Sequence, residues 1–367
     1  MNPTATAQKH LSPYTTDFVK VGFIGQGWIG KNYADDFERR GFSTVRYALE
    51  EPYAGNKEKI KDCNIVFIAV PTPTTPEGFD ASIVESAVAL VGAGKISVIK
   101  STLLPGTTKR IQEKFPDRIV LMSPEFLTEV TAAYDAAHPM RNIIGISKDT
   151  GEYRAAAQQV LSVLPKASYE SICSSTEGEY IKYGGNNWFY FKVLFTNMLY
   201  DLAIKDGCNW EVIRNGMIAD PRIGSSHMNP MHQSGTTGGE AHRTLPLYEL
   251  HMQPVHKGGR GAGGHCFIKD YAAFRRLYQQ AFPDDVYGNA ALRALEDKNI
   301  NLLLTSGKDL DLLQGVYGPE PLRAVSHPFA LFGMPRQMQW IVLGVGALSV
   351  LAGTLDIATR FIDAILK

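Results

Sequence analysis

The chain offers no net charge to a polyanion. Its 367 residues carry 37 Lys+Arg against 37 Asp+Glu, so no long-range field draws it to DNA or RNA. Cysteine is scarce as well. The four, Cys63, Cys173, Cys208 and Cys266, lie far apart with no CxxC pair. That spacing argues against a disulfide scaffold or a Cys-rich zinc site and fits a reducing, cytoplasmic compartment. Residues 1–18 are polar and lack the apolar core of a secretory signal. There is no internal repeat and no long low-complexity tract. Hydrophobic residues make up 44% and charged residues 20%, an ordinary globular balance that excludes a largely disordered chain. The length exceeds one compact core and implies at least two domains.

What is present alternates. Short apolar runs at Val19–Ile24, Thr44–Leu49, Asn64–Val70, Ile96–Lys100, Arg118–Met122 and Asn142–Ile146 read as strands. Segments Asn32–Arg40, Ser82–Val91, Thr107–Phe115 and Glu152–Leu164 read as helices between or after them. This rhythm means right-handed crossovers and a doubly wound parallel sheet, an α/β fold, over residues 19–173. From residue 174 the pattern becomes helical. Thr176–Ile204 reads as one long helix, Leu292–Leu313 as another, and a helical domain is expected over 174–317. Between them, 226–259 is rich in Gly, Ser, Thr and His, long enough to be a lid or an insertion.

Two glycine-rich motifs carry chemistry. Gly25-Gln26-Gly27-Trp28-Ile29-Gly30 follows a strand and opens a helix. This placement lets backbone amides meet a pyrophosphate, which is the Rossmann-like dinucleotide site. Ala48 stands where an acid for the ribose would end the second strand, with Glu50 and Glu51 just beyond. The second motif is Gly258-Gly259-Arg260-Gly261-Ala262-Gly263-Gly264-His265-Cys266, running on to Lys269 and Asp270. Glycines allow close approach of a ligand to the thiol, and a nearby Lys favours a reactive thiolate.

Several separated motifs, in order, give the chain a resemblance to the nucleotide-sugar 6-dehydrogenases. They are VGFIGQGWIG, IAVPTPTTPEGFD, IKSTLLPGTT, SPEFLTEV with RNIIG, EGEYIKYGGNNWFYFKVLFTN, DPRIGSSHM, GRGAGGHCFIKD and SGKDLDLLQGVYG, between about residues 19 and 318. The resemblance implies a four-electron oxidation of a sugar primary alcohol to a carboxylate with two NAD molecules. It makes Cys266 the thiol that captures the aldehyde, Lys182 and Asn186 the base and oxyanion donors on one helix face, and Asp270 the lysine's water-orienting partner. Glu125 becomes the base for thioester hydrolysis, with Thr102 holding the water. The cofactor would lie on Gly25, Gln26, Gly27, Trp28, Ile29, Gly30, Val70, Pro71, Thr72, Ser101, Thr102, Glu129 and Lys269. The sugar nucleotide would lie on Glu125, Phe126, Leu127, Lys182, Asn186, Arg222, Gly261, Gly263 and Gly264. Arg222 resembles an arginine that reaches a neighbouring subunit's sugar, so a homodimer is implied. No metal site is implied.

Each residue also has a plainer reading. Lys182 can be a solvated side chain, Asn187 competes with Asn186, Glu125 can serve a helix dipole, and Asp270 can be an N-cap. Ser123 and Val130 depart from the family pattern. Six of the nine histidines fall at 227, 232, 242, 251, 256 and 265, without standard ligand spacing, so a solvated loop is expected there. The family's second nucleotide-gripping domain is expected to be missing. In its place, 318–367 holds the uncharged run Trp340–Leu355, short of the roughly twenty residues that cross a bilayer. Residues 340–362 are a candidate membrane contact or a buried helix. The functional alternatives are an idle NAD-binding scaffold, or an enzyme whose nucleotide site comes from a partner chain.

Overall fold

A computed structural model describes residues 19–128, 131–232 and 258–325. The first strand, β1 (Lys20–Ile24), leads to α1 (Trp28–Arg39) and β2 (Ser43–Tyr47). A 3-10 turn (Ala54–Asp62) precedes β3 (Ile65–Ile68), and a small hairpin, β4 (Thr74–Thr75) and β5 (Gly78–Phe79), precedes α2 (Ser82–Ala89). Then come β6 (Ile96–Ile99), α3 (Thr107–Lys114), β7 (Ile119–Met122), α4 (Ala132–Ala137), β8 (Arg141–Ile146), α5 (Gly151–Val163) and β9 (Tyr169–Ser174).

Seven strands form one sheet in the order β2-β1-β3-β6-β7-β8-β9. The central strands are continuously apolar because helices cover both faces. Phe23, Phe37 and Phe67 pack in the core on one face, and Val66, Ile68, Val84 and Ile99 in the core on the other. The expected doubly wound parallel sheet is present, with one antiparallel joint: Leu121 pairs with Ile146 and Met122 with Gly145. The reason is the connection. The chain returns from β7 through the short α4 and never crosses back to the starting edge. Strand order reverses between β1 and β3, and ligands of such sheets sit in the crevice beyond the strand ends at that point.

The long helix α6 (Ser175–Lys205) begins with a capping box, Ser174 with Glu177. Its start lies against the sheet: a Cβ on Gly145 would stand 2.7 Å from Ser175 Cα. Next are α7 (Trp210–Ile218), the strand pair β10 (Met231–His232) and β11 (Gly259–Arg260), α8 (Gly264–Ala281), α9 (Val286–Ser306), α10 (Leu310–Tyr317) and α11 (Glu320–Val325). The helix expected over 292–313 is in fact two, broken where Gly307 (φ 64) and Asp309 (φ 51) turn left-handed. Strand β9 has no counterpart in the sequence reading. It is a half-buried edge strand without a clear apolar alternation. Residues 233–257, most of the His-rich insertion, and the tail from 326 with its 340–362 segment lie outside the described residues. Among the described residues, no helix is long and apolar enough to cross a membrane.

Candidate active site

Helix α8 opens with the cysteine turn. Cys266 is in its first turn and Asp270 in its second, so Asp270 is no N-cap. Helix α6 supplies Lys182 and Asn186 one turn apart, on the face turned to α8. Asn186 Nδ2 donates to Asp270 Oδ2 at 2.6 Å, and Lys269 Nζ donates to Asp270 Oδ1 at 2.6 Å. The competing Asn187 points elsewhere, to Tyr183 O at 2.8 Å. Glu125, on the loop after β7, accepts from Lys182 Nζ at 2.6 Å and from Leu127 N at 2.8 Å. Both partners of this pair are buried. Phe126 lies under the Arg141 guanidinium at 3.7 Å, which fixes the same loop.

The charges of Asp270, Lys182, Lys269 and Glu125 all bear on the Cys266 sulfur. The expectation of a lysine-favoured thiolate is overturned. Burial, helped by Asp270, pushes the thiol up to about 11, and the two lysines offset only part of that. Burial alone would lower the Lys182 ammonium, but Glu125, Cys266 and Asp270 together hold it above its ordinary value.

The glycines before Cys266 are packed by the chain itself. A Cβ on Gly263 would stand 2.0 Å from Asp309 Oδ2, and one on Gly261 3.1 Å from Asn299 Oδ1. Asn299 Oδ1 accepts from Ala262 N at 2.7 Å, and its Nδ2 donates to Ala262 O at 3.0 Å. Lys308 Nζ donates to Gly261 O at 3.0 Å, and Asp309 Oδ2 accepts from Gly264 N at 2.7 Å. Gly261, Gly263 and Gly264 therefore serve the turn that aims Cys266. The sequence reading does not include Asn299, Lys308 or Asp309 among the site residues, although Lys308 and Asp309 stand in the motif SGKDLDLL, which is the signal for them.

The other glycine turn is partly open. Gly25 (φ 89) and Gly30 close it: Cβ atoms there would stand 2.2 Å from Ala69 O and 1.9 Å from Gly25 O. Gly27 faces open space, with nothing within 4 Å of its Cβ position. Helix α1 starts there with no side-chain cap and no acid in its first turn. A helix end left uncapped in this way suits a pyrophosphate, so the residues present fit a dinucleotide. Gln26 bonds Gly25 O at 3.1 Å, and Trp28 and Ile29 are the first residues of the helix. Ser101 Oγ ties β6 to β3, donating to Val70 O at 2.7 Å and accepting from Val70 N at 2.9 Å. Thr72 and Thr102 are buried beside it, Pro71 is exposed, and Glu129 lies outside the described residues. Ala48 is buried at the end of β2, with Glu50 and Glu51 exposed beyond it. A separate polar cavity of about 540 Å³ between α1 and β2 contains none of the predicted site residues.

One further side chain joins these parts. Glu179, one turn before Lys182, accepts from Thr108 N and Thr108 Oγ1, both at 2.7 Å, and from Gly106 N at 2.5 Å. It thereby caps α3 from another helix and fixes the loop that carries Ser101 and Thr102. Arg222 is exposed, paired with Asp220 at 2.6 Å. The solvated-loop expectation fails for two histidines. His227 stacks on Phe189 with centroids 4.3 Å apart, and His232 Nε2 lies 2.9 Å from Lys308 Nζ. Burial pushes each down to about 4, so both are packed and neutral. Among the described residues, no group of three His, Cys, Asp or Glu could hold a metal ion.

Comparison with known proteins bears on the family and the fold. Residues 51–162 match the model described as "UDP-glucose/GDP-mannose dehydrogenase family, NAD binding domain". A UDP-glucose 6-dehydrogenase of Streptococcus pneumoniae is 32% identical over 180 residues, 46% of this chain and 46% of that protein. One from Haloferax volcanii is 25% identical over 305 residues, 70% of this chain and 64% of its own length. The chain thus spans less than two thirds of either relative. The solved UDP-glucose dehydrogenase of Pyrobaculum islandicum shares the fold, with a TM-score of 0.61 at 22% identity, covering 80% of this chain and 72% of that one.

Proposed function

Because the chain belongs to the UDP-glucose/GDP-mannose dehydrogenase family, whose cofactor is NAD, we propose that it oxidises a nucleotide sugar's primary alcohol to the uronic acid. The sugar is of the UDP-glucose kind. The observation that carries this reading is that Asp270, one turn after Cys266 on α8, is bonded to Asn186 and Lys269, while Lys182, one turn before Asn186, is bonded to Glu125.

Bound NAD, held by the turn of Gly25, Gly27 and Gly30 and the start of α1, supplies the hydride acceptor. The chain's own residues move the protons. A proton shift within the 2.6 Å Lys182–Glu125 pair leaves Lys182 neutral to take the alcohol proton. Asn186, oriented by Asp270, donates to the oxygen as charge develops. The Cys266 sulfur adds to the aldehyde carbon while its proton passes to the carbonyl oxygen, giving a thiohemiacetal. The hydroxyl proton of the thiohemiacetal passes to Lys182, once Lys182 has given up its first proton to solvent, and the second hydride would go to a second NAD bound in place of the first, so that a thioester remains. Glu125, once ionised, takes a proton from water, which attacks the thioester, and the thiol and the carboxylate leave separately. A thiol that is protonated at rest suits this sequence, because the aldehyde oxygen needs the proton.

The same reading includes a homodimer, which an exposed apolar stripe supports. Trp188, Phe195 and Leu202, spaced seven apart on α6, are all exposed and form an apolar stripe of the kind that marks an interface. Arg222 is exposed and held by Asp220, and in this reading it is the arginine that acts on a partner's substrate. The test is NADH release with UDP-glucose, UDP-N-acetylhexosamine and GDP-mannose at high enzyme concentration. Turnover with one of them is expected. NAD binding without turnover on any of them would instead support an idle scaffold.

A further inference from the structure

Arg141 opens β8, the strand whose joint to β7 is antiparallel. Strand β7, parallel to β6, runs toward the crevice and leads on to Glu125. With Leu121 opposite Ile146 and Met122 opposite Gly145, β8 runs the other way, so its first residue lies at the crevice end. Alternation along the strand puts Arg141 on the face of Gly145, against which Ser175 starts α6, the helix of Lys182. The Arg141 guanidinium lies 3.7 Å from the Phe126 ring centroid, and Lys182 Nζ lies 5.9 Å from the same centroid. Two cations from different elements thus share the ring next to Glu125.

Lys182 has an acid, Glu125. Arg141 has none: among the described residues no carboxylate pairs with it and no acceptor takes a bond from its side chain. It is half-buried, and burial alone pushes the guanidinium below its ordinary value. A cation desolvated without a partner is one that a ligand's charge can complete. Stacking on Phe126 uses a face of the guanidinium and not its edge, where all five N–H groups lie in a fork that matches a phosphate.

We propose that Arg141 anchors the diphosphate of the nucleotide sugar while the C6 alcohol lies against Lys182. The identity of the ligand rests on the dehydrogenase reading; the need for an anion rests on the unpaired guanidinium. Both cations stand on one ring, near enough for a hexose 1-diphosphate to reach from one to the other. The carboxylate of the product forms at C6, at the Lys182 end, so the diphosphate is the charge left for Arg141. Oxidation does not alter the diphosphate. Arg141 therefore holds substrate and transition state equally and acts on affinity, not on the chemical step.

The test is calorimetry of wild type, Arg141→Gln and Arg141→Lys with UDP, GDP, UDP-glucose and GDP-mannose, and with NAD as the control. A nucleoside diphosphate without a sugar should bind wild type, and Arg141→Gln should weaken it about tenfold or more. Arg141→Lys keeps the charge without the fork and should fall between the two. NAD should bind all three equally. In turnover, Arg141→Gln should raise KM by the same factor and keep kcat within about twofold. Equal affinity of wild type and Arg141→Gln for every nucleotide overturns the proposal, as does a wild type that binds none of them. An equal loss of NAD and nucleotide binding in both variants would mean a role in the fold alone and also overturns it. If wild type binds a nucleoside diphosphate through Arg141 but oxidises no nucleotide sugar, the dehydrogenase reading fails and the anchor stands. If it oxidises one with the same KM in Arg141→Gln, that reading stands and the anchor falls.

Discussion

The chain has two glycine-rich turns that each open a helix, and they use glycine for opposite ends. Before α1, Gly25 and Gly30 let the turn close, and Gly27 leaves its outer side clear. Before α8, the room left by Gly261 and Gly263 is taken by Asn299, Lys308 and Asp309 of the same chain. The first turn is built to receive a ligand's charge, the second to hold a thiol still. A glycine in sequence says only that a Cβ is unwelcome. What excludes it, a ligand or a neighbouring side chain, is decided by distant residues.

Substitutions at the two turns sharpen or break this contrast. Gly263→Ala puts a methyl against the buried Asp309 and Lys308, so a loss of about 3 kcal/mol is expected, read by denaturant unfolding. Asn299→Ala leaves both polar groups of Ala262 without their side-chain partner and should cost about 2 kcal/mol in the same assay. It should also slow alkylation of Cys266. Glu179→Gln tests the tie between α6 and the loop of Ser101 and Thr102. Burial holds the Glu179 carboxyl above its ordinary 4.5, against the bonds from Thr108 and Gly106. A raised carboxyl favours folding when protonated, so wild type should lose stability relative to Glu179→Gln as pH rises upward from about 4. Gly27→Ala should be the mildest for the fold, within about 0.5 kcal/mol. Calorimetry should nevertheless show NAD binding weakened about tenfold, since the methyl projects where a pyrophosphate would come. Equal stability losses at Gly27 and Gly263 would erase the distinction between the turns.

Much of this was legible in the sequence, and the reasons differ by residue. The sheet was readable because strands buried on both faces are apolar runs. Two pairs of the candidate site were readable, because Lys182 and Asn186 share one helix face and Cys266 and Asp270 share another, so local spacing fixes both. Contacts between elements were not readable. Arg141 reads as the residue before a strand, Glu179 as a surface acid, and Asn299 as one more polar residue on a helix. Each acquires its place from a partner across the fold: Phe126, Thr108 and Ala262. The break at Gly307–Asp309 was missed because the left-handed Asp309 is set by where its carboxylate must reach, Gly264 N. Thiol acidity was misjudged for a similar reason. Charge neighbours can be read from a motif, whereas desolvation depends on everything packed around the sulfur.

The most direct measurement counts NADH released per sugar oxidised by Cys266→Ser, with the product identified by mass spectrometry. One NADH per sugar, aldehyde accumulating, and carboxylate release slowed about a thousandfold or more is the predicted result. Two NADH per sugar at the wild-type rate would contradict the central assignment, because the sulfur would then have no part in the second oxidation.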